Sequence, residues 1–328
     1  MEKFLSPETI YSGLKNKEIS RNIAVDQLIS LIEGSNNPKI RSESISILNQ
    51  LIIHDPKIFK IIESSLLSDE NPNVRMAAVN YIGHHYIKEG LNTQMWVVQH
   101  EQSPLVIKAI FDLNLGLTDV RFKSLSKKLN EYLAKIALAV NIISTEAKFI
   151  LDLEAFFAQN EENYVLELKS YQFYKKLKDP KLGEFWLTIR NKHIESLSFN
   201  YFNWRYVKRN PDMFDSISNL QDPLVYLNLL RKIHATYNDN FKVPESISLL
   251  TKLRKLNLSK NYIIELPKSM FLLSNLEYLD LSYNMLHEIP EEITNLKSLT
   301  SLRIQNNQIS RNPKALSGYL DKLSNYKI

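Results

Sequence analysis

The sequence predicts an α plus α/β solenoid: an array of helical pairs at the N-terminal end, a helical middle section, and a stack of short parallel strands at the C-terminal end. Three observations carry this. One motif recurs at a step of 23 residues late in the chain, another recurs at a step of 34 early in it, and the 328 residues include only 7 glycines and no cysteine. Recurrence at a fixed step means units that bury little alone and build a core with their neighbours. The hydrophobic fraction of 44% against 23% charged is enough to fill such a core. The missing cysteine excludes disulfides, thiolate metal sites and thiol nucleophiles. No two glycines lie within six residues, so neither GxGxxG nor GxxxxGK can occur.

The helical array comes first. Asn37-Pro38-Lys39-Ile40-Arg41 aligns with Asn71-Pro72-Asn73-Val74-Arg75, and a third copy starts at Ser103-Pro104, where Ile107 stands in place of the arginine. After each proline the apolar residues follow a helical period: Ile40, Ile45, Leu48 and Leu51 in one copy, Val74, Ala78, Val79 and Ile82 in the next. Proline suits the first helical turn, because the N–H it lacks has no partner there. The pattern resembles HEAT-like helical repeats over residues 5–117, and residues 1–117 are expected to form that domain. Arg41 and Arg75 are expected to link neighbouring helices or inter-repeat turns.

Residues 118–193 match no repeat. Phe122, Leu125, Leu129, Leu133, Ile136, Val140 and Ile143 predict one amphipathic helix. Further helices are expected over 145–159 and 164–178, and 184–189 reads as a strand or a helix end. This middle section is treated as a separate, helical domain.

The third domain, 194–328, carries the clearest signal. Asn261, Asn284 and Asn307 are 23 residues apart, and Pro244, Pro267, Pro290 and Pro313 keep the same step. Leu253, Leu256, Leu258, Asn261, Ile263 and Leu266 recur as Leu276, Leu279, Leu281, Asn284, Leu286 and Ile289, then as Leu299, Leu302, Ile304, Asn307 and Ile309. In each LxL segment the two leucines share one face of a strand and point inward. The asparagine can satisfy backbone groups where the chain leaves the sheet. A degenerate copy spans Leu230, Ile233, Ala235, Asn238, Val243 and Pro244. Ile194, Leu197 and Phe199 could start a further strand, and Lys314–Tyr326 reads as a helical cap. The pattern LxxLxLxxNxLxxLP resembles the leucine-rich repeats, in the 23-residue form of the intracellular, Ras-group proteins. Together with the HEAT-like part it is similar to repeat fusions found among archaeal proteins. The resemblance implies a scaffold, with a small GTPase among the candidate partners.

The residues flanking the inward leucines would form the concave face. They give four rows: Lys232, Lys255, Tyr278 and Ser301; His234, Asn257, Asp280 and Arg303; Thr236, Ser259, Ser282 and Gln305; Tyr237, Lys260, Tyr283 and Asn306. Tyrosine and arginine are enriched where proteins bind proteins. The expected partner-binding residues are therefore Lys232, His234, Tyr237, Lys255, Asn257, Lys260, Tyr278, Asp280, Tyr283, Arg303 and Gln305. The plain alternative is a solvated face on which Asp280 and Arg303 merely pair.

A second candidate is residues 199–209, where Phe199, Tyr201, Phe202, Trp204 and Tyr206 alternate with Arg205, Lys208 and Arg209. Such a segment can stack bases and pair phosphates. It can equally pack its aromatics under the first repeat. The net charge is +5. Counted along the sequence, residues 1–117 carry −2 and the remainder +7, too diffuse to require nucleic acid. None of the seven histidines forms HExxH, and no GxSxG occurs. Adjacent His84 and His85 would diverge on a helix. Glu161-Glu162 and Glu291-Glu292 suit helix starts. The expectation is a non-catalytic, monomeric, cytoplasmic protein with no cofactor, no metal and no membrane segment.

Overall fold

The computed structural model describes residues 6–158, 185–199, 241–309, 319–320, 323 and 325–327. The chain divides into two units, Met1–Lys135 with Ile150–Glu167, and Ile136–Phe149 with Leu168–Ile328.

In the first unit the helices are α1 (Pro7–Lys15), α2 (Arg21–Gly34), α3 (Pro38–Leu51), α4 (Pro56–Ser68), α5 (Pro72–His85), α6 (Leu91–His100) and α7 (Pro104–Asn114). Their starts are written in the sequence. Ser6, Asn37, Asp55 and Asn71 each cap with the side chain and precede a proline in the first turn. Helices α1, α3, α5 and α7 pack in succession as one layer, and α2, α4 and α6 as the other. The apolar stripes meet between the layers: Ile45 and Leu48, Val74, Ala78 and Ile82, and Val106 and Ile110 are all fully buried. At Gly83 a Cβ would collide with the Leu113 side chain, so glycine sets how closely α5 and α7 approach. Helix α3 ends on Ile52 at φ 50°, a left-handed conformation unfavourable for a β-branched residue. The Arg21 guanidinium donates to the Leu51 and Ile52 carbonyls, and Tyr81 Oη donates to the Ile53 carbonyl at 2.8 Å, which holds that turn.

The recurring arginines are linkers, as expected. Arg41 makes a two-point pair with Asp69 (2.7 and 2.8 Å) and donates to the Ser35 carbonyl. Arg75 repeats this with Glu101 (2.7 and 2.8 Å) and with the carbonyls of Asp69 and Glu70. Each carboxylate also accepts backbone N–H groups at the next helix start, Asn71 on Asp69, and Gln102 and Ser103 on Glu101. Each planar guanidinium thus ties the turn before its own helix to the equivalent turn one helical pair later.

Helices α8 (Lys123–Val140) and α9 (Ala147–Ala158) follow. Phe122, Leu125, Leu129, Leu133, Ile136 and Val140 of the predicted amphipathic stripe are buried. The expected helix over 164–178 lies outside the described residues.

The second unit is built on one six-stranded sheet: β1 (Phe185–Arg190), β2 (His193–Phe199), β3 (Lys255–Asn257), β4 (Tyr278–Asp280), β5 (Ser301–Arg303) and β6 (Asn325–Lys327), in that order. β1 and β2 are antiparallel and all other pairs are parallel. Leu197, Leu256, Leu279 and Leu302 stand side by side across the sheet, each buried. Opposite the strands, short 3-10 turns at Glu245–Leu249, Lys268–Leu272 and Glu291–Asn295 follow Pro244, Pro267 and Pro290. They send Ile247, Met270 and Ile293 into the same core.

Three expectations are corrected. The middle section is not helical to its end: Phe185–Arg190 is a strand, joined to β2 through Asn191 (φ 51°) and Lys192 (φ 62°), the two-residue turn that matches strand twist. The neighbour of β3 is β2 rather than a strand of the degenerate repeat, because Ile194 and Leu197 supply the inward face from outside the 23-residue step. The C-terminal cap is not helical throughout: Tyr319 and Leu320 are, but Asn325–Lys327 pairs as a strand with β5.

Candidate binding face

Each repeat leaves the sheet through the same turn, and that turn places the candidate residues. Asn284 Oδ1 accepts the N–H groups of Asn261 (2.9 Å) and Ile263 (3.0 Å), while its amide donates to the carbonyls of Leu258 and Leu281 (both 2.9 Å). Asn307 accepts from Leu286 N–H (3.0 Å) and donates to the Leu281 (2.9 Å) and Ile304 (2.8 Å) carbonyls. The asparagine therefore satisfies its own turn and that of the preceding repeat, which is why its step is invariant. The residue before it is left-handed in all three copies, Lys260 (φ 63°), Tyr283 (φ 57°) and Asn306 (φ 59°). Asparagine accepts that conformation readily; lysine and tyrosine do so at some strain.

On the face between these turns and the strands, Tyr278, Asp280 and Arg303 come together. Tyr278 Oη donates to Asp280 Oδ2 at 3.1 Å, and Ser282 donates to Asp280 Oδ1 through its N–H (3.0 Å) and hydroxyl (2.6 Å). Arg303 reaches Asp280 at 3.7 Å and lies over the Tyr278 ring at 5.6 Å. Asp280 is buried, so its carboxylate is spent on these partners, while Arg303 stays 43% exposed. Burial, and next the Asp280 charge, push the Tyr278 hydroxyl above its ordinary value, so it stays a neutral donor. Asn257 repeats the role of Asp280 by accepting the Ser259 N–H at 2.9 Å. Lys260 lies over the Tyr283 ring at 5.9 Å. Two cations thus ride on two tyrosines, with Lys255 exposed beside them. Gln305 Oε1 is buried with no hydrogen-bond partner among the described residues.

Lys255, Asn257, Lys260, Tyr278, Asp280, Tyr283, Arg303 and Gln305 share this face. Lys232, His234 and Tyr237 lie outside the described residues, as does most of 199–209. The positions the sequence rows assign to Lys232 and His234 beside β3 are held by Ser196 and Ser198 of β2. Both serines are buried, which a periodic reading could not find because they stand outside the repeat. A further row was also missed. Arg254 and Glu277 are 23 apart and joined at 2.6 Å, with Glu195 of β2 at 3.6 Å from Arg254. Their spacing was the signal.

The histidines behave differently from the helical-wheel expectation. His84 and His85 diverge along α5, yet both rings reach Asn49 of α3, His84 Nδ1 at 3.2 Å and His85 Nε2 at 2.9 Å from Oδ1. Among the described residues no group of three or more histidines and carboxylates could hold a metal ion, and no helix is long and apolar enough to cross a membrane.

Residues 251–309 match the family described as Leucine rich repeat. The match coincides with β3 to β5 and their turns. No curated protein matches the chain. Leucine-rich repeats commonly mediate protein–protein interaction.

Proposed function

We propose that the protein is a non-catalytic scaffold that binds a protein partner through the Tyr278–Arg303 face. The observation that carries this is the pairing of Arg303 with Tyr278 and of Lys260 with Tyr283, half-exposed residues of the type that anchors interfaces. At 3.7 Å and with Arg303 43% exposed, the Arg303–Asp280 contact is worth less than about 1 kcal/mol, so stability gives little reason for a cation there. The exposed charges Lys255 and Arg303 favour a partner with acidic side chains on the contact surface. A small GTPase is one candidate, on the likeness of the 23-residue repeat to the Ras-group form.

The two-layer packing of α1 to α7 and the arginine links support reading residues 1–117 as HEAT-like repeats in a solenoid. On that reading, 118–193 joins them to the repeats of 194–328. A monomer in the cytoplasm fits this picture, as does the likeness to archaeal repeat fusions. Affinity capture from the source organism tests the proposal. The unaltered chain should retain a partner, and the pair Tyr278→Ala with Arg303→Ala should lose it while remaining folded at the temperature of the capture. Retention of every captured protein by that double variant would place the interface elsewhere.

A further inference from the structure

A second cluster of ionisable side chains lies at the other end of the strands, away from the Tyr278–Arg303 face. It forms a groove of about 320 Å³ lined by Arg190, His193, Glu195, Lys252, Arg254 and Glu277, among others. The volume is at the lower end of what small-ligand sites occupy.

Its wall is organised from behind by Glu146, which is fully buried in the loop before α9. A carboxylate in that position requires partners. Among the described residues it has two: His193 Nδ1 at 2.8 Å and the Ile194 N–H at 2.8 Å. The same loop is tied to the β1–β2 turn through the Ile143 N–H and the Lys192 carbonyl (2.9 Å). Glu146 therefore fixes the ring of His193. With Nδ1 engaged, Nε2 lies on the opposite edge of the ring, and no described residue bonds it.

The other wall is supplied by the repeats. The two groove carboxylates are already committed, since Arg254 holds Glu277 at 2.6 Å and stands 3.6 Å from Glu195, with Arg190 at 3.7 Å from Glu195. Lys252 is exposed and forms no ion pair among the described residues, and the Arg190 side chain is 71% exposed. Three cations thus face two satisfied carboxylates and one oriented imidazole.

We propose that this groove binds a small oxyanion-bearing ligand, a phosphate or polycarboxylate. Arg190 and Lys252 supply charge, and the doubly protonated ring of His193, its Nδ1–H held by Glu146, offers an Nε2–H to the oxyanion. Charge-assisted bonds of this kind are the strong ones. The site is independent of the Tyr278–Arg303 face.

The test is a titration of the full-length protein at low ionic strength with inorganic pyrophosphate and, separately, with citrate. It is read by the imidazole NMR signals, that of His193 being identified by its loss in His193→Gln. The expected result is a saturable shift of the His193 signal with at least one of the two probes, and which one responds identifies the ligand chemistry. Lys252→Ala and Arg190→Ala change exposed side chains and should fold. Each is expected to weaken binding about tenfold, while Tyr278→Ala with Arg303→Ala leaves it unchanged. No shift with either probe at millimolar concentration overturns the proposal. So does a shift that Lys252→Ala and Arg190→Ala leave intact, because it would report general ionic screening rather than a site.

Discussion

Asn284 shows what one side chain does in a stacked fold. It is buried and serves four backbone groups at 2.9–3.0 Å, the Leu281 carbonyl of its own repeat and, in the preceding repeat, the Leu258 carbonyl and the Asn261 and Ile263 N–H groups. Asn284→Ala strands those N–H and C=O groups, and each unsatisfied one costs about 1–3 kcal/mol before water enters. A loss of about 3 kcal/mol in urea unfolding is expected; a loss below about 1 kcal/mol would mean the turn is held otherwise. A second residue-level expectation concerns His85. Burial, with smaller contributions from the His54 and His84 charges, holds its imidazole below the ordinary 6.5, although the Asn49 carbonyl opposes this. As pH falls below about 6.5 the unfolded chain takes up the proton first, so stability should decline toward the lower native value and then level. His85→Gln should flatten that slope, measured as denaturation midpoints at pH 7 and pH 5.5; equal slopes would exclude His85 as the source. The asparagines were legible because their spacing repeats. The meeting of His84 and His85 on Asn49 was not, because side-chain torsions rather than positions along the helix decide where a ring ends.

At the scale of elements, the arginine links decide how the helices of the first unit are tied. Arg75 and Glu101 are 18% and 6% exposed. Removing the cation leaves a buried carboxylate with only backbone partners, and breaking such a pair costs about 3–5 kcal/mol. Arg75→Met should therefore lower stability by about that much. Adding Glu101→Gln should recover part of it, since the amide oxygen still accepts the Gln102 and Ser103 N–H groups. Equilibrium unfolding of the single and double variants checks this, and no recovery in the double variant would count against the charge explanation. The helix starts, their prolines and these arginines could all be read from residue order. The acidic partners could not, because Asp69 and Glu101 sit at offsets of 28 and 26 from their arginines and so obey no single step. The β1–β2 hairpin was likewise only half legible. Ile194 and Leu197 announced a strand, but nothing in the 23-residue rhythm said it would stand beside β3.

At the scale of the molecule, the division into a helical part and a leucine-rich part was readable from the two rhythms alone, since each period belongs to one kind of unit. The residues between the rhythms were harder, because no second copy exists against which to check them. The charge excess of the later residues sets a whole-chain expectation. Spread over some two hundred residues and partly consumed in pairs such as Arg254–Glu277, it should not retain single-stranded DNA at about 0.15 M salt, where charges beyond about 8 Å are screened. Firm retention in a gel-shift titration under those conditions would revive the nucleic-acid reading of residues 199–209. The matched registers of β2 to β6 carry a consequence of another kind. Because each repeat meets its neighbour through the same leucine pairing and the same asparagine turn, the stack has a unit of growth. Gaining or losing one copy lengthens or shortens the face by a single strand spacing, about 4.8 Å, without altering the joints on either side. The reach of this surface is therefore a countable quantity, set in whole steps by duplication rather than by gradual change in any one residue.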